Sequence, residues 1–414
     1  MTEMIELKKK KERVILVGVS LKNEDDTEQS LDELEELVKT AGAETVGRVI
    51  QNRDQIHPGV YVGRGKIEEI KDLLWECEAT GIICDDELSP VQLGNLQDML
   101  ETKVMDRTLI ILDIFAARAI TNEGKIQVEL AQLRYRQSRL VGLRKSLSRL
   151  GGGIGTRGPG EKKLEMDRRL IKDRIAQLNR ELKDVKCHRD VVRGQRVKNH
   201  VPVAAITGYT NAGKSTLLNT LTGADVLEED QLFATLDPTT RAFRLPGGQE
   251  ILFTDTVGFI RKLPHHLIEA FQSTLEEAKY ADVIIHVVDA SNPQMETQMH
   301  VVYDTLCKLE VKDKPVITLF NKQDKLVEPG TCKDFQADYS LPISAKTGKG
   351  LEPFQEILEE LLRKEKIYIE RLYTYDETGK IQVIRNYGEL LEEEYLPEGI
   401  SVKAYIPKEF YAKV

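Results

Sequence analysis

The chain has 414 residues, 41% hydrophobic and 31% charged, with 59 Lys and Arg against 68 Asp and Glu for a net charge of −9. That length holds two to four domains with sizeable cores, and the balance is that of an ordinary soluble protein. No apolar stretch approaches the roughly 18 residues that cross a bilayer, and the first residues lack the apolar core of a signal peptide. Cys77, Cys84, Cys187, Cys307 and Cys332 are odd in number and widely spaced, which excludes a paired disulfide framework and predicts reduced thiols in a cytoplasm.

Residues 1–122 read as a small α/β domain with a parallel sheet. Strand-like runs fall at 14–19, 45–50, 81–84 and 104–105, and helical spacing at 31–38, 92–100 and 109–119. Gly63, Gly65 and Lys66 resemble half a phosphate loop but lack its full spacing, so a tight turn is expected there, with an ATP site around Lys66 as the rival.

Residues 123–199 follow a different pattern. Ile126, Leu130, Leu133, Leu140, Leu143, Leu147 and Leu150 recur mainly at three, four or seven residues, as do Leu164, Ile171, Ile175, Leu178, Leu182 and Val185. The spacing predicts two helices packed along a seam. The glycine-rich run 151–160 lies between them, and Pro159 bars a continuous helix. An antiparallel hairpin follows, with arms of about 25 residues, or roughly 38 Å at 1.5 Å per residue.

Between Arg134 and Lys198 there are 20 Lys and Arg against 7 Asp and Glu, an excess of 13 positive charges that leaves −22 on the rest of the chain. A basic arm on an acidic body points to a polyanionic partner, with a plain solvated face as the alternative. Arg guanidinium forks suit phosphate, and the glycines allow backbone to mould around irregular RNA. Arg149, Thr156, Arg157, Lys162 and Lys163 are the candidate RNA contacts, in and around that glycine-rich run.

In residues 200–365 the chemistry is sharper. A strand-like run at 203–207 leads into Gly208, Tyr209, Thr210, Asn211, Ala212, Gly213, Lys214 and Ser215, and a helical run follows. Strand, glycine loop, then Lys-Ser opening a helix is the phosphate-binding loop. Its glycines let successive N–H groups face the phosphates, and the helix N-terminus adds its positive dipole end. Lys214 would reach the β- and γ-phosphates, and Ser215 would offer a hydroxyl to Mg²⁺. The strand at 251–254 delivers Asp255, Thr256, Val257 and Gly258. An acid there suits a Mg²⁺ ligand acting through water, and Gly258 lets its N–H approach the γ-phosphate. Further strands at 283–289 and 315–320 bring up Asn321, Lys322, Gln323 and Asp324, then Ser344, Ala345 and Lys346. A carboxylate at Asp324 accepts from both N1–H and the exocyclic amine of guanine. Adenine would leave a buried acid unpaired. The phosphate loop and this acid together point to GTP and GDP as ligands.

Residues 366–414 form a separate unit. Strands are expected at 366–370 and 380–384 around a turn at 376–379, then an acidic helix at 388–395 and a strand at 399–405. No catalytic chemistry stands there; docking and plain stabilisation are equally open.

These residues resemble a translation-factor-class GTPase and, more closely, the HflX family. The likeness rests on Phe233, Ala234, Thr235, Leu236 and Asp237 with the Pro-Thr-Thr that follows, on 255–260, and on the glycine run 151–160, and it spans nearly the whole chain. It implies an α/β architecture: a P-loop GTPase domain with a mainly parallel sheet and helices on both faces. A small α/β domain and a basic antiparallel helical hairpin precede it, and a small α+β domain follows. It implies Thr235 as the Mg²⁺-binding switch threonine, a choice the residues alone leave open against Thr239 and Thr240, and Lys214, Thr235 and Gly258 as the catalytic set. Phe259 stands where many signalling GTPases carry a water-orienting Gln, and a hydrophobic residue there is a family property. Slow unaided hydrolysis is therefore expected, stimulated by the large ribosomal subunit. The resemblance places the hairpin on that subunit's rRNA near the peptidyl-transferase centre, in a cytoplasmic, partly ribosome-associated monomer that splits or rescues stalled ribosomes. Its rivals are a large-subunit assembly factor and an RNA-binding protein in which nucleotide is only a conformational switch.

Overall fold

The computed structural model describes residues 11–21, 26–147, 159–198, 201–223, 232–233, 236–263, 277–326, 332–364 and 366–414. The chain divides into two compact units. The first comprises Met1–Val185 with two short segments, Gln231–Leu236 and Arg261–Phe271; the second holds the remainder.

In the first unit, β1 (Arg13–Leu21), β2 (Glu44–Arg53), β3 (Gly81–Cys84) and β4 (Lys103–Asp106) form a parallel sheet in the order β2-β1-β3-β4. Val14, Ile15, Leu16 and Val17 are all fully buried, as expected of a parallel strand covered on both faces. Helices α1 (Thr27–Thr40), α2 (Arg64–Glu76) and α3 (Pro90–Leu100) connect them, and α4 (Arg107–Arg118) follows β4. The tight turn expected at 63–66 is instead the start of α2, with Gly63 as its N-cap. Ile67 and Ile70, three residues apart, draw that helix onto the sheet, and Lys66 pairs with Glu69 at 2.8 Å.

The largest fully buried side chain of this unit is Arg107. Its guanidinium donates to Asp85 Oδ1 at 2.7 Å, to the Ser30 carbonyl at 2.6 Å and to Glu33 Oε1 at 3.0 Å. Lys262, from the second inserted segment, sets its ammonium 2.5 Å from Asp85 Oδ2 and 2.7 Å from Asp86 Oδ1.

Helices α5 (Asn122–Leu147) and α6 (Pro159–Lys198) form the hairpin arms. Pro159 opens α6, the first helical turn being where a missing N–H costs nothing. At 40 residues α6 is far longer than the arm of about 25 read from the leucine spacing, because its polar outer stretch adds helix without adding seam. Ile126, Leu130 and Leu178 form the seam with Leu133, Ile175 and Leu182. Arg174 clasps Glu129 with two bonds of 2.7 and 2.9 Å, and Arg168 donates to the Leu140 carbonyl at 3.1 Å, an antiparallel register.

The second unit contains β5 (Val203–Gly208), β6 (Thr239–Arg244), β7 (Glu250–Asp255), β8 (Val283–Asp289), β9 (Val316–Asn321) and β10 (Tyr339–Pro342) in the order β10-β9-β8-β5-β7-β6. Only β6 runs antiparallel, against β7 at the edge. Helices α7 (Lys214–Thr222), α8 (Met295–Lys308) and α9 (Leu351–Lys364) lie between and after them. Ile206, Phe253, Ile285, Leu319 and Phe354 are among the residues that close the core.

A second sheet in this unit is antiparallel: β11 (Lys366–Tyr373), β12 (Glu389–Leu396) and β13 (Gly399–Pro407), in the order β11-β13-β12, with α10 (Thr378–Tyr387). Two expectations are reversed here. The run 380–384 is helical, because Ile381 and Ile384 bury together at helical spacing just after a Thr374/Glu377 capping box. The acidic stretch 388–395 is mostly strand, because Glu392 and Lys403 pair across β12 and β13 and let a charged edge strand form. All five cysteines are free. Among the described residues no helix is long and apolar enough to cross a membrane.

Candidate functional site

Strand β5 ends at Gly208, and the chain curls through five residues into α7. Asn211 (φ 60°) and Gly213 (φ 95°) adopt left-handed backbone, which turns the loop back on itself. A Cβ at Gly213 would lie 2.3 Å from Asn321 Nδ2. That amide donates to the Ala212 carbonyl at 2.9 Å, while its oxygen accepts from the Ala345 N–H at 2.9 Å. Asn321 thus ties the phosphate loop to the 344–346 segment, a positional role for a residue that sequence marked only as guanine-reading.

Lys214 is buried, and its ammonium donates to the Tyr209 carbonyl across the loop at 2.8 Å. Burial pushes its pKa down to about 8. Gly258 sits against it: a Cβ there would meet Lys214 Nζ at 2.9 Å. Ser215 Oγ donates to Asp255 Oδ2 at 2.8 Å, and Asp255 is the fully buried last residue of β7. Thr256 turns away, its hydroxyl bonded to the Ile206 carbonyl at 2.9 Å. Two sequence-distant segments, 208–215 and 255–258, therefore meet around one ammonium and one hydroxyl–carboxylate pair.

Phe259 is knitted into this loop by its backbone. Its N–H donates to the Gly208 carbonyl at 3.1 Å and its carbonyl accepts from the Thr210 N–H at 2.8 Å, while the ring is buried. No polar side-chain atom stands at that position.

The base-reading end departs from expectation in one respect. Asp324 is exposed, not buried. Its Oδ1 accepts from Ser344 Oγ at 2.7 Å, and that bond holds the carboxyl below its usual pKa. The expected buried acid is thus an exposed one, held by the Ser344 hydroxyl. Lys322 stretches to Asp289 at 2.7 Å, and Gln323 folds back on the Phe320 carbonyl at 3.2 Å. Asp289 and Thr220, whose hydroxyl bonds the Ala345 carbonyl at 2.8 Å, belong to this framework and were invisible to motif reading.

Ala234 and Thr235 lie outside the described residues. Phe233 and Leu236 are buried in the first unit, with the Phe233 ring set edge-on to Phe115 at 4.7 Å, and Asp237 is half-buried in the second. Thr239 and Thr240 are in β6, where Thr240 shares a 3.0 Å hydroxyl contact with Thr254. Of the RNA candidates, Arg149, Thr156 and Arg157 lie outside the described residues. Lys162 and Lys163 fall in the first turns of α6, their side chains likewise outside. The basic hairpin is less open than its charge count implies. Arg139 is committed to Asp106 at 2.6 Å and lies over the Tyr135 ring, and Arg174 is held by Glu129. Among the described residues no group of three or more His, Cys, Asp or Glu side chains could hold a metal.

Family models match the chain in succession: a GTP-binding GTPase N-terminal region over residues 28–116, a GTP-binding GTPase middle region over 118–196, and a 50S ribosome-binding GTPase domain over 203–322. A GTPase HflX of Lacrimispora saccharolytica is 69% identical over 414 residues, covering 100% of this chain and 98% of the relative. The chain belongs to the HflX family. A second HflX GTPase, from Caldanaerobacter subterraneus, is 50% identical over 405 residues, covering 97% of this chain and 93% of its own length. Among solved structures, a GTP-binding protein of the archaeon Sulfolobus solfataricus in complex with GDP aligns at 25% identity and a TM-score of 0.44, over 85% of this chain and 99% of that one. As an HflX GTPase the protein is a GTP hydrolase with a GTPase domain of the 50S ribosome-binding class.

Proposed function

We propose that this HflX GTPase binds GTP in the 208–215 loop and reads guanine with Asp324. It engages the large ribosomal subunit through its basic hairpin and hydrolyses GTP slowly until that subunit completes the site. The outcome is the splitting or rescue of stalled ribosomes by a cytoplasmic monomer. Four parts carry this reading: an N-terminal domain (1–122), the hairpin (123–199), the GTPase domain (200–365) and a C-terminal domain (366–414).

The observation that supports slow unaided turnover is Phe259, backbone-bonded to Gly208 and Thr210 with its ring buried. Nothing at that position can hydrogen-bond and aim a water. Mg²⁺ suits the donor set: it takes oxygen ligands, few of them from protein, and Ser215 Oγ stands 2.8 Å from Asp255. Ser215 would hold it directly, Asp255 through water and Thr235 as the ligand the family implies; when bound, it neutralises phosphate charge. Lys214 supplies a fixed ammonium toward the β- and γ-phosphates, and Gly258 a backbone N–H that no side chain screens.

Steady-state GTP hydrolysis with and without 50S subunits tests the proposal. The expected unaided rate is on the order of 10⁻⁴–10⁻² per second, rising steeply with subunits. Fast turnover of the free protein, unchanged by ribosomes, would refute it. Sedimentation of intact ribosomes with the protein, comparing GTP with a non-hydrolysable analogue, reads splitting directly.

A further inference from the structure

We propose that the uncovered face of the C-terminal sheet docks a Lys- and Arg-rich segment of a partner protein. The sheet has two unlike faces. Ile369, Ile400, Val402 and Ala404 point inward to the core with α10. The opposite face carries Tyr368, Glu370 and Leu372 from β11, Lys403 and Tyr405 from β13, and Glu392 and Glu394 from β12, by the strand registers and the twofold alternation of side chains.

Tyr368 is 46% exposed and Leu372 50% exposed. The Tyr368 and Tyr405 rings stand 5.4 Å apart, a ready apolar platform. The Tyr405 end is already occupied: Arg363 lies 5.5 Å over its ring, and Arg363 and Lys366 both pair with the buried Glu389. At the open end, around Tyr368 and Leu372, Glu370, Glu392 and Glu394 face the single ammonium of Lys403, which lies 2.8 Å from Glu392 and 3.8 Å from Glu370. Residues 387–402 hold five Glu in all, Glu392 and Glu394 among them, and no Lys or Arg.

The charge selects the occupant. An RNA backbone or an anionic bilayer would meet like charge here. A second copy of this face would meet its own carboxylates. A Lys or Arg side chain fits instead: its aliphatic stem lies on the exposed Tyr368 and Leu372, and its head reaches Glu370, Glu392 or Glu394. The chain then divides its contacts, with the basic hairpin facing nucleic acid and the acidic sheet facing protein. This goes beyond the proposed function and rests on it only in taking the 50S subunit as the source of the partner.

The test places photoreactive benzoylphenylalanine at position 372 of the full chain, irradiates it with purified 50S subunits and GTP, and identifies what is crosslinked. A crosslink to a Lys- and Arg-rich segment of a subunit protein is expected. Crosslinks to rRNA alone, or none while co-sedimentation persists, overturn the docking proposal and leave the ribosome reading standing. Loss of co-sedimentation altogether overturns both. In parallel, Glu370→Lys with Glu392→Lys should weaken 50S association on the order of tenfold, and Lys403→Glu should strengthen it. Because Glu392 and Lys403 pair at 2.8 Å across β12 and β13, the thermal midpoint of each variant is measured alongside, and Glu370→Lys with Glu394→Lys, which leaves that pair intact, should weaken binding as well. If both charge changes weaken binding alike, the contribution is structural and the proposal fails.

Discussion

At the scale of single residues, two titratable groups carry testable consequences. Asp324 is exposed, with Oδ1 accepting from the Ser344 hydroxyl. Hydrogen bonds to a charged acceptor contribute about 1.5–3 kcal/mol each, so losing two should cost on the order of 10²-fold or more in affinity. Asp324→Ala should therefore lower GDP and GTP affinity by that factor in calorimetry, with little change in stability. Lys214 makes a prediction in the free protein. Its pKa drops on folding from 10.5 to about 8, so between those limits the unfolded chain binds more protons and stability rises with pH. Below pH 8 the full penalty of a buried ammonium remains. Urea unfolding at pH 7 and pH 10 should show a gain from this group of about 2–3 kcal/mol, and Lys214→Met should remove that part of the pH dependence.

Secondary elements show where local preference yields to packing. Ile381 and Ile384 make a helix out of a β-branched run because the sheet beside them needs an apolar lid. Helix α4 begins with Arg107, a guanidinium with almost no solvent, beside Asp85, which is 1% exposed. Burial pushes the Asp85 carboxyl up, and the charges of Arg107 and Lys262 more than offset this, leaving it below its usual range. A lowered carboxylate pKa lends stability at neutral pH that is lost as pH falls below the unfolded value. Arg107→Met should cost about 3 kcal/mol by leaving a buried carboxylate with fewer partners. It should also move acid unfolding to higher pH, as read by far-UV circular dichroism. An unchanged acid midpoint would mean that Lys262 alone keeps Asp85 ionised.

For the whole molecule, the charge distribution matters more than the net −9. An excess of 13 positive charges within 134–198 is available to phosphate only in part, since Arg139 and Arg174 are committed inside the fold. If six phosphates are contacted, 50S affinity should fall on the order of 10³-fold between 50 and 200 mM salt. A deletion of 151–160 should flatten that slope, measured by co-sedimentation at several salt concentrations. Salt-independent binding would remove the hairpin from the interface.

Sequence alone determined the chemistry that depends on contiguous residues. A phosphate loop, its following helix and an Asn-Lys-Gln-Asp run are recognisable because each is a short contiguous pattern. The buried strands of both parallel sheets were legible for a related reason, as unbroken apolar runs admit few other placements. Tertiary structure decided what depends on distant partners: that Asn321 holds Ala212 and Ala345 together, that Lys214 lies against Gly258, and that Ser215 meets Asp255. It also decided that 380–384 is helix and most of 388–395 strand, because only a neighbour's surface can overrule a short segment's weak preference.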